Sequence, residues 1–424
     1  MASVRSGLLA ALLALLLTAL AQAASPETLR PRTSCPLGLS SKGTTTILFV
    51  ADPGAFSGTG EAAYYLSNLQ GARQVSAGAA ACANATVGRM MRQNIAVIVT
   101  GIGPLAAALC VFDVMSKCGP NIKDVFYSGT AGWSPQLGGV INNGSCNAAN
   151  SNGDIVRLGD VCVSPFSVNW DCRMASWDNS AAGFPNQCSF PMQQLGPSAS
   201  DMFGQCQFTN VSRSQLAMAD EVLAVAAAKA NNIPVKNSVV QDLDAAYWRS
   251  MAAGTGLTYS PAAVAAPARV WGYKQCMEID SQFFWSGAPW DMVARSYVAD
   301  TLNVAFGGSS YSQGNVLAVS AMEGIGLSAA MERYNALSSS RGRRVPFTIV
   351  RGMSDFAVPP LQYNGAGVWA AKAAVENFKP GYKYAISTTS AVVLSTLQAR
   401  CERLPPMSPP SSAVNSCSFT INYN

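Results

Sequence analysis

The chain has no histidine. Proton transfer near neutral pH therefore falls to other groups, above all to carboxyls whose surroundings move their titration. Two of them stand in informative company. Val319-Ser320-Ala321-Met322-Glu323-Gly324 places a carboxylate at the start of a helix, and Val350-Arg351-Gly352-Met353-Ser354-Asp355 places another just beyond the end of the next strand. Such a pair points to cleavage of a sugar–base bond, which passes through an oxocarbenium-like state as in glycoside hydrolysis. A carboxylate near the sugar and a proton on the leaving base both stabilise that state. Each residue also has a plain structural role: Glu323 can complement a helix dipole, and Asp355 can cap a following turn or helix.

Two glycine-rich segments accompany the carboxyls. Thr100-Gly101-Ile102-Gly103-Pro104 follows an apolar run and opens a helical pattern. Glycines there let the backbone approach a ligand, and the helix N-terminus favours an anion or a polar sugar group, although such turns also exist for packing alone. The segment is neither a Walker loop nor a full G-x-G-x-x-G fingerprint. Ser128-Gly129-Thr130-Ala131-Gly132 reads as a second glycine turn at the carboxyl end of a strand, where open α/β sheets collect ligands.

The elements that must position these residues follow from short apolar runs bounded by small residues. Thr45–Ala51, Ile95–Thr100, Val125–Ser128, Asp160–Ser164, Val316–Ser320 and Phe347–Val350 read as buried strands. Helical patterns at Leu105–Lys117, Ser214–Ala230, Gly326–Leu337, Val368–Asn377 and Ala391–Arg400 alternate with them. The expected fold is α/β, a mixed and mostly parallel central sheet flanked by helices. One domain spans about 44–404. A Cys-, Pro- and Ser-rich insertion interrupts it at about 170–210, and a Pro-rich C-terminal extension follows over 405–424.

Residues 1–23 carry Arg5, an apolar run from Leu8 to Leu20, and Ala21-Gln22-Ala23, the pattern of a signal peptide cleaved after Ala23. No later stretch is long and apolar enough to span a membrane, so the expectation is a secreted protein, extracellular or vacuolar. The 12 cysteines agree, being even in number with no CxxC pair, which argues for disulfides rather than a metal site. Cys172–Cys188 and Cys401–Cys417 are plausible local loops. Asn84, Asn143 and Asn210 head glycosylation sequons. A net charge of +5 with only 12% charged residues leaves no nucleic-acid footprint.

Taken in order, Thr100-Gly101-Ile102-Gly103, Gly129-Thr130-Ala131-Gly132, Gly159-Asp160-Val161, Met322-Glu323 and Arg351-Gly352-Met353-Ser354-Asp355 resemble the nucleoside phosphorylase and methylthioadenosine/S-adenosylhomocysteine nucleosidase superfamily. With its leader and cysteines the chain is most similar to the secreted plant branch that includes bark storage proteins. The resemblance covers roughly Thr45 to Leu397. It implies a nucleoside phosphorylase-like fold, a purine nucleoside as ligand, no metal or organic cofactor, and phosphate as a candidate co-substrate. It implies that Met322 packs against the ribose, that Glu323 accepts from the 2′- and 3′-hydroxyls, and that Asp355 is the acid at purine N7. Tyr311, after Gly307-Gly308, stands where the family places a base-stacking aromatic. Thr100, Gly103, Thr130, Gly132 and Ser354 complete the implied pocket. The family is dimeric, trimeric or hexameric, so a homo-oligomer is one of the states the resemblance leaves open.

One end of the implied site departs from the pattern. Nucleosidases of this superfamily carry a water-activating glutamate shortly after the first strand, and phosphorylases place an arginine after a Gly-Asp-Pro-like turn. Here Phe49-Val50-Ala51-Asp52-Pro53-Gly54-Ala55-Phe56-Ser57 offers neither, and no glutamate appears until Glu61. Asp52 and Glu61 are the carboxylates that could substitute, and neither is assigned the role. The competing reading is a storage or nucleoside-binding protein on the same fold with little or no catalysis.

Overall fold

The computed structural model describes residues 35–39, 43–54, 57–75, 80–137, 154–175, 192–194, 207–255, 259–281, 288–338, 344–358, 371–405 and 416–423. The leader expected over 1–23, the Cys172–Cys188 bridge, the Asn143 sequon and most of the insertion lie outside these residues.

The strands begin with β1 (Thr45–Val50), β2 (Gln70–Gln74), β3 (Asn84–Met90), β4 (Gln93–Val99) and β5 (Ile122–Trp133). Next come β6 (Gln136–Leu137), β7 (Asp154–Ile155), β8 (Val161–Ser164), β9 (Ser167–Asn169), β10 (Arg173–Ala175) and β11 (Met192–Gln194). β12 (Val270–Gly272), β13 (Cys276–Asp280), β14 (Leu317–Ala321) and β15 (Phe347–Phe356) follow. The helices are α1 (Ala63–Ser67), α2 (Pro104–Cys118), α3 (Arg213–Ala228), α4 (Ser238–Thr255), α5 (Pro261–Ala265), α6 (Ala288–Phe306), α7 (Gly324–Ser338) and α8 (Ala371–Glu402).

One large sheet runs in the order β12-β8-β15-β5-β1-β4-β3-β2, with β14 paired to β5 and β13 joining β14 to β9. Its centre, β4-β1-β5-β15, is parallel throughout. The antiparallel pairs include β3 with β4, β8 with β15 and β14 with β5. The sheet is therefore mixed and mostly parallel. Helices flank both faces, as the wholly buried β1 demonstrates: Ile47 and Phe49 join a core with Val111 of α2 and Met331 of α7. Leu48 and Val50 point the other way, into a core with Met218 of α3, Val298 of α6 and Val393 of α8.

Three expected boundaries move. The segment Ser128–Gly132 is strand rather than turn, because β14 pairs with the far half of β5 through Val319↔Trp133 and Ser320↔Gly132. β15 likewise runs on to Phe356, so Asp355 lies within the strand instead of just beyond it, still in register with β5. The described part of the helix expected at Val368–Asn377, from Ala371 on, and the helix expected at Ala391–Arg400 belong to the single helix α8, which continues through Pro380 despite the lost backbone donor. Close docking on β15 accounts for this, since a Cβ on the next residue, Gly381, would lie 2.3 Å from the Ser354 carbonyl oxygen.

Cys35–Cys118, Cys82–Cys110, Cys162–Cys276 and Cys401–Cys417 are bridged. Beyond the last of these, the C-terminal segment returns to α1, where the Asn68 amide pairs with both backbone groups of Thr420 at 2.9 Å. Among the described residues no helix is long and apolar enough to cross a membrane, and no cluster of His, Cys, Asp or Glu is arranged to hold a metal ion.

Candidate active site

The ends of β1, β4, β5, β14 and β15 bring three carboxyl groups and one arginine to the same edge of the sheet. The first carboxyl is Glu61. After β1 the chain leaves at Asp52 and returns nine residues later, with Glu61 donating its N–H to the Asp52 carbonyl at 3.1 Å. Gly60 permits the closure, because a Cβ there would lie 2.8 Å from the Pro53 carbonyl carbon. Glu61 then turns its carboxylate back onto the strand ends. Its Oε2 accepts from the N–H groups of Ala51 (2.9 Å) and Asp52 (3.1 Å). Its Oε1 accepts from the N–H (2.9 Å) and hydroxyl (3.3 Å) of Thr130. Asp52 steadies the loop by accepting from the Tyr382 hydroxyl at 2.5 Å and from Gly54 N–H at 2.8 Å. Burial pushes the Glu61 carboxyl up to about 7; Arg351 opposes the rise and the Glu323 carboxylate adds to it.

The second carboxyl, Glu323, ends the crossing from β14 to α7 and accepts the Leu327 N–H with its backbone carbonyl as that helix begins. Its Oε1 accepts from Gly103 N–H at 3.2 Å, where φ is +99° and an L side chain would be strained. Its Oε2 accepts from Arg351 Nη2 at 3.0 Å. Burial raises the Glu323 pKa while Arg351 lowers it. Arg351 is itself buried, with its guanidinium 5.0 Å above the Tyr127 ring and two nitrogens on Glu278 Oε1 at 2.9 and 3.1 Å. It reaches this position because Gly129 opposite it has no side chain. A Cβ at Gly129 would lie 2.2 Å from Arg351 Nη1 and 2.8 Å from Glu61 Oε1.

Asp355 is the third. A bulge between Met353 and Asp355 lets Asp355 rather than Ser354 lie opposite Gly132, and Gly132 is also the partner of Ser320 on β14. A Cβ at Gly132 would lie 2.7 Å from Asp355 Oδ1. The Ser354 hydroxyl donates to Asp355 Oδ2 at 2.7 Å. Loss of solvent raises the Asp355 pKa, against this hydrogen bond. A carboxyl of raised pKa and one near 7, both acting without histidine, are suited to proton donation and to proton abstraction respectively.

The other expected site residues are placed as follows. Gly103, Thr130, Gly132 and Ser354 touch the three carboxyls directly. Thr100 stands one shell away, its hydroxyl 2.8 Å from that of Tyr127 and hydrogen-bonded to the Val50 and Gly101 carbonyls. Met322, half-buried, immediately precedes Glu323. Tyr311 lies at the opposite end of β14, a strand about 16 Å long, with its ring packed on Phe306 at 6.3 Å and its backbone clasped by Asn303. None of its described contacts reaches Glu61, Glu323 or Asp355. Sequence reasoning left out Glu61, Arg351 and Glu278 as individual site residues. Signals for Glu61 were Gly54 and Gly60, which mark a loop able to close on itself. Glu278 lies on β13, a strand that the apolar-run pattern did not pick out because it alternates with charge.

No family model and no curated protein matches this chain. Solved structures to which this chain is similar include a methylthioadenosine/S-adenosylhomocysteine nucleosidase of Neisseria meningitidis in complex with methylthio-immucillin-A, at 15% identity and TM-score 0.43, covering 84% of this chain and 98% of that one. The corresponding nucleosidase of Colwellia psychrerythraea in complex with adenine is 14% identical (TM-score 0.40, covering 84% and 96%). Futalosine hydrolase of Helicobacter pylori is 13% identical (TM-score 0.38, covering 84% and 98%).

Proposed function

We propose that the protein hydrolyses the N-glycosidic bond of a purine nucleoside, releasing the free base and the free sugar. The observation that carries this reading is the seating of Glu61: a carboxyl titrating near 7, held by three backbone N–H groups beside Glu323 and within one strand of Asp355. The ordered motifs that resemble nucleosidases and nucleoside phosphorylases supply the substrate class.

In this mechanism Glu323 accepts from the ribose 2′- and 3′-hydroxyls, with Gly103 N–H and Arg351 fixing the orientation of its oxygens. The bond between the sugar C1′ and the purine N9 breaks, and its electron pair moves into the purine ring. Asp355 donates its proton to N7, so the base leaves neutral. Water attacks C1′ and gives its proton to Glu61. Net, one water is consumed, and the proton that Glu61 gains replaces the one that Asp355 gave up.

Hydrolysis is favoured over phosphorolysis by a charge argument. The amides of Ala51, Asp52 and Thr130 form the anion-binding concavity at the strand ends, and the Glu61 carboxylate occupies it. A phosphate brought there meets a like charge, while Arg351 already spends two of its nitrogens on Glu278 and Glu323. The disulfides, together with the leader pattern, support secretion into an oxidising compartment.

A panel of adenosine, inosine, guanosine and methylthioadenosine, incubated with and without phosphate and read by chromatography, tests the reading. Base with free ribose, unchanged by phosphate and absent in Asp355→Asn, is expected. Ribose-1-phosphate would instead indicate a phosphorylase. No release above the variant under any condition leaves a storage or binding protein.

A further inference from the structure

Glu278 is fully buried at the middle of β13, and the proposed reaction leaves it without a task. A buried carboxylate without a function is costly unless paired, yet the fold goes out of its way to admit this one. Gly324 at the start of α7 makes room for it, since a Cβ at that position would lie 2.3 Å from Glu278 Oε1. That same oxygen accepts from both Nε and Nη2 of Arg351. Arg351 Nη2 then continues to Glu323 Oε2. β13 and β14 are parallel neighbours, with Ile279 opposite Ser320, so the sheet itself holds Glu278 alongside the strand that leads to Glu323.

Carboxyl groups outnumber cations around this chain of contacts. Glu61, Glu278, Glu323 and Asp280 surround Arg351, the one cation here among the described residues, and Tyr127 lies beneath it. Asp52, Tyr65 and Tyr382 face Glu61 from the loop, α1 and α8. Asp280 accepts from Ile325 N–H at 2.6 Å and from the Ser167 hydroxyl. Among the described residues, Glu278 Oε2 and Asp280 Oδ1 have no hydrogen-bond partner. These two residues alternate along β13 and so share a side of the strand.

We propose that Glu278 is a positioning residue for the glycosidic reaction: it anchors Arg351 by two nitrogens and takes up part of its charge, so that Glu323 stays oriented toward the ribose. The inference rests on the nucleosidase reading for its substrate but concerns a group that touches no substrate atom. Without Glu278 the guanidinium turns its full charge on Glu323, drawing that carboxylate from the sugar and making it a stronger acid. The Glu278 charge is among the influences that raise the Glu323 pKa, which gives the same sign.

The test compares wild type with Glu278→Gln, an isosteric change that keeps an acceptor for Arg351 but removes the charge. In ligand-free protein, the Glu323 carboxyl, assigned with Glu323→Gln and followed by 13C NMR, is expected to titrate at lower pH in Glu278→Gln. With nucleoside, KM is expected to rise about tenfold while kcat changes much less. If Glu278→Gln does not fold, Gly324→Ala substitutes for it, because its methyl displaces the Glu278 carboxylate while leaving every charge present. It too should raise KM. An unchanged Glu323 titration, or an unchanged KM in either folded variant, overturns the proposal. Absence of turnover in wild type would refute the nucleosidase reading alone, since the titration needs no substrate.

Discussion

Thr130 donates its backbone N–H to Glu61 Oε1 at 2.9 Å, and this contact ties the loop after β1 to the long central strand β5 across 69 residues of sequence. It places a titratable carboxyl where β1 ends alongside the far half of β5, beside Gly129, where Arg351 and Glu61 both approach the backbone.

Glu61→Gln should lower kcat about a thousandfold, the usual scale for a lost general base, while leaving nucleoside affinity within severalfold. Single-turnover kinetics alongside calorimetric binding of a carbon-linked adenosine analogue, whose base cannot leave, separates the two effects. Full activity in the variant would remove Glu61 from the mechanism.

Asp355→Asn should be as damaging for purine nucleosides, but its cost should depend on the leaving group. A riboside of p-nitrophenol departs without a proton, so its hydrolysis should fall by no more than about tenfold. Equal losses on both substrates would argue that Asp355 acts on the sugar rather than the base.

Glu61 must be ionised to take a proton, so kcat/KM should fall on the acid side with a midpoint near the value of about 7 to which burial raises this carboxyl. Stability should run the other way. A carboxyl whose pKa is 4.5 when unfolded and about 7 when folded favours the native state below 4.5, and that contribution is lost as pH rises to 7. The difference amounts to roughly 3 kcal/mol at neutral pH. Asp280, Glu323 and Asp355 are shifted in the same direction. Scanning calorimetry should therefore find a higher melting temperature at pH 5.5 than at pH 8, and a flat or rising profile would contradict the burial argument.

Gly129→Ala should be more harmful than its size suggests. The added methyl overlaps Arg351 Nη1 and Glu61 Oε1, so overpacking should cost about 1–3 kcal/mol and displace both groups from the site. Chemical denaturation measures the first effect and kcat/KM the second. An active, fully stable variant would show that the cradle around Gly129 has slack.

Reduction of Cys401–Cys417, which closes a loop of 16 residues, should destabilise the protein by about 3 kcal/mol on the chain-entropy account. Paired Cys401→Ser and Cys417→Ser substitutions, followed by urea unfolding, check the magnitude without disturbing the other bridges.

Much of the frame is written locally. Runs such as Thr45–Val50 are apolar on both sides of the strand, and that composition alone demands a sheet covered on both faces. The segments containing Gly101, Gly103, Gly129 and Gly132 were likewise legible, because glycine marks places where backbone or ligand must approach closely. Met322-Glu323 and Arg351-Gly352-Met353-Ser354-Asp355 stood out by type and order. What no local pattern carries is a long-range partner. Whether Ser128–Gly132 is turn or strand depends on β14, nearly two hundred residues away, and the exit of β15 depends on the same pairing. Glu61 joins the strand ends because its loop closes on Asp52 and because Thr130 offers an N–H there, both facts of three-dimensional contact. Glu278 enters through Arg351, on a strand whose alternating charge reads as solvent-facing until its neighbours bury it. Sequence determines which surfaces must be hidden and which backbone positions must stay open. Tertiary structure decides which charges share the same buried space, since Coulomb energies depend on distances that the chain sets only when folded.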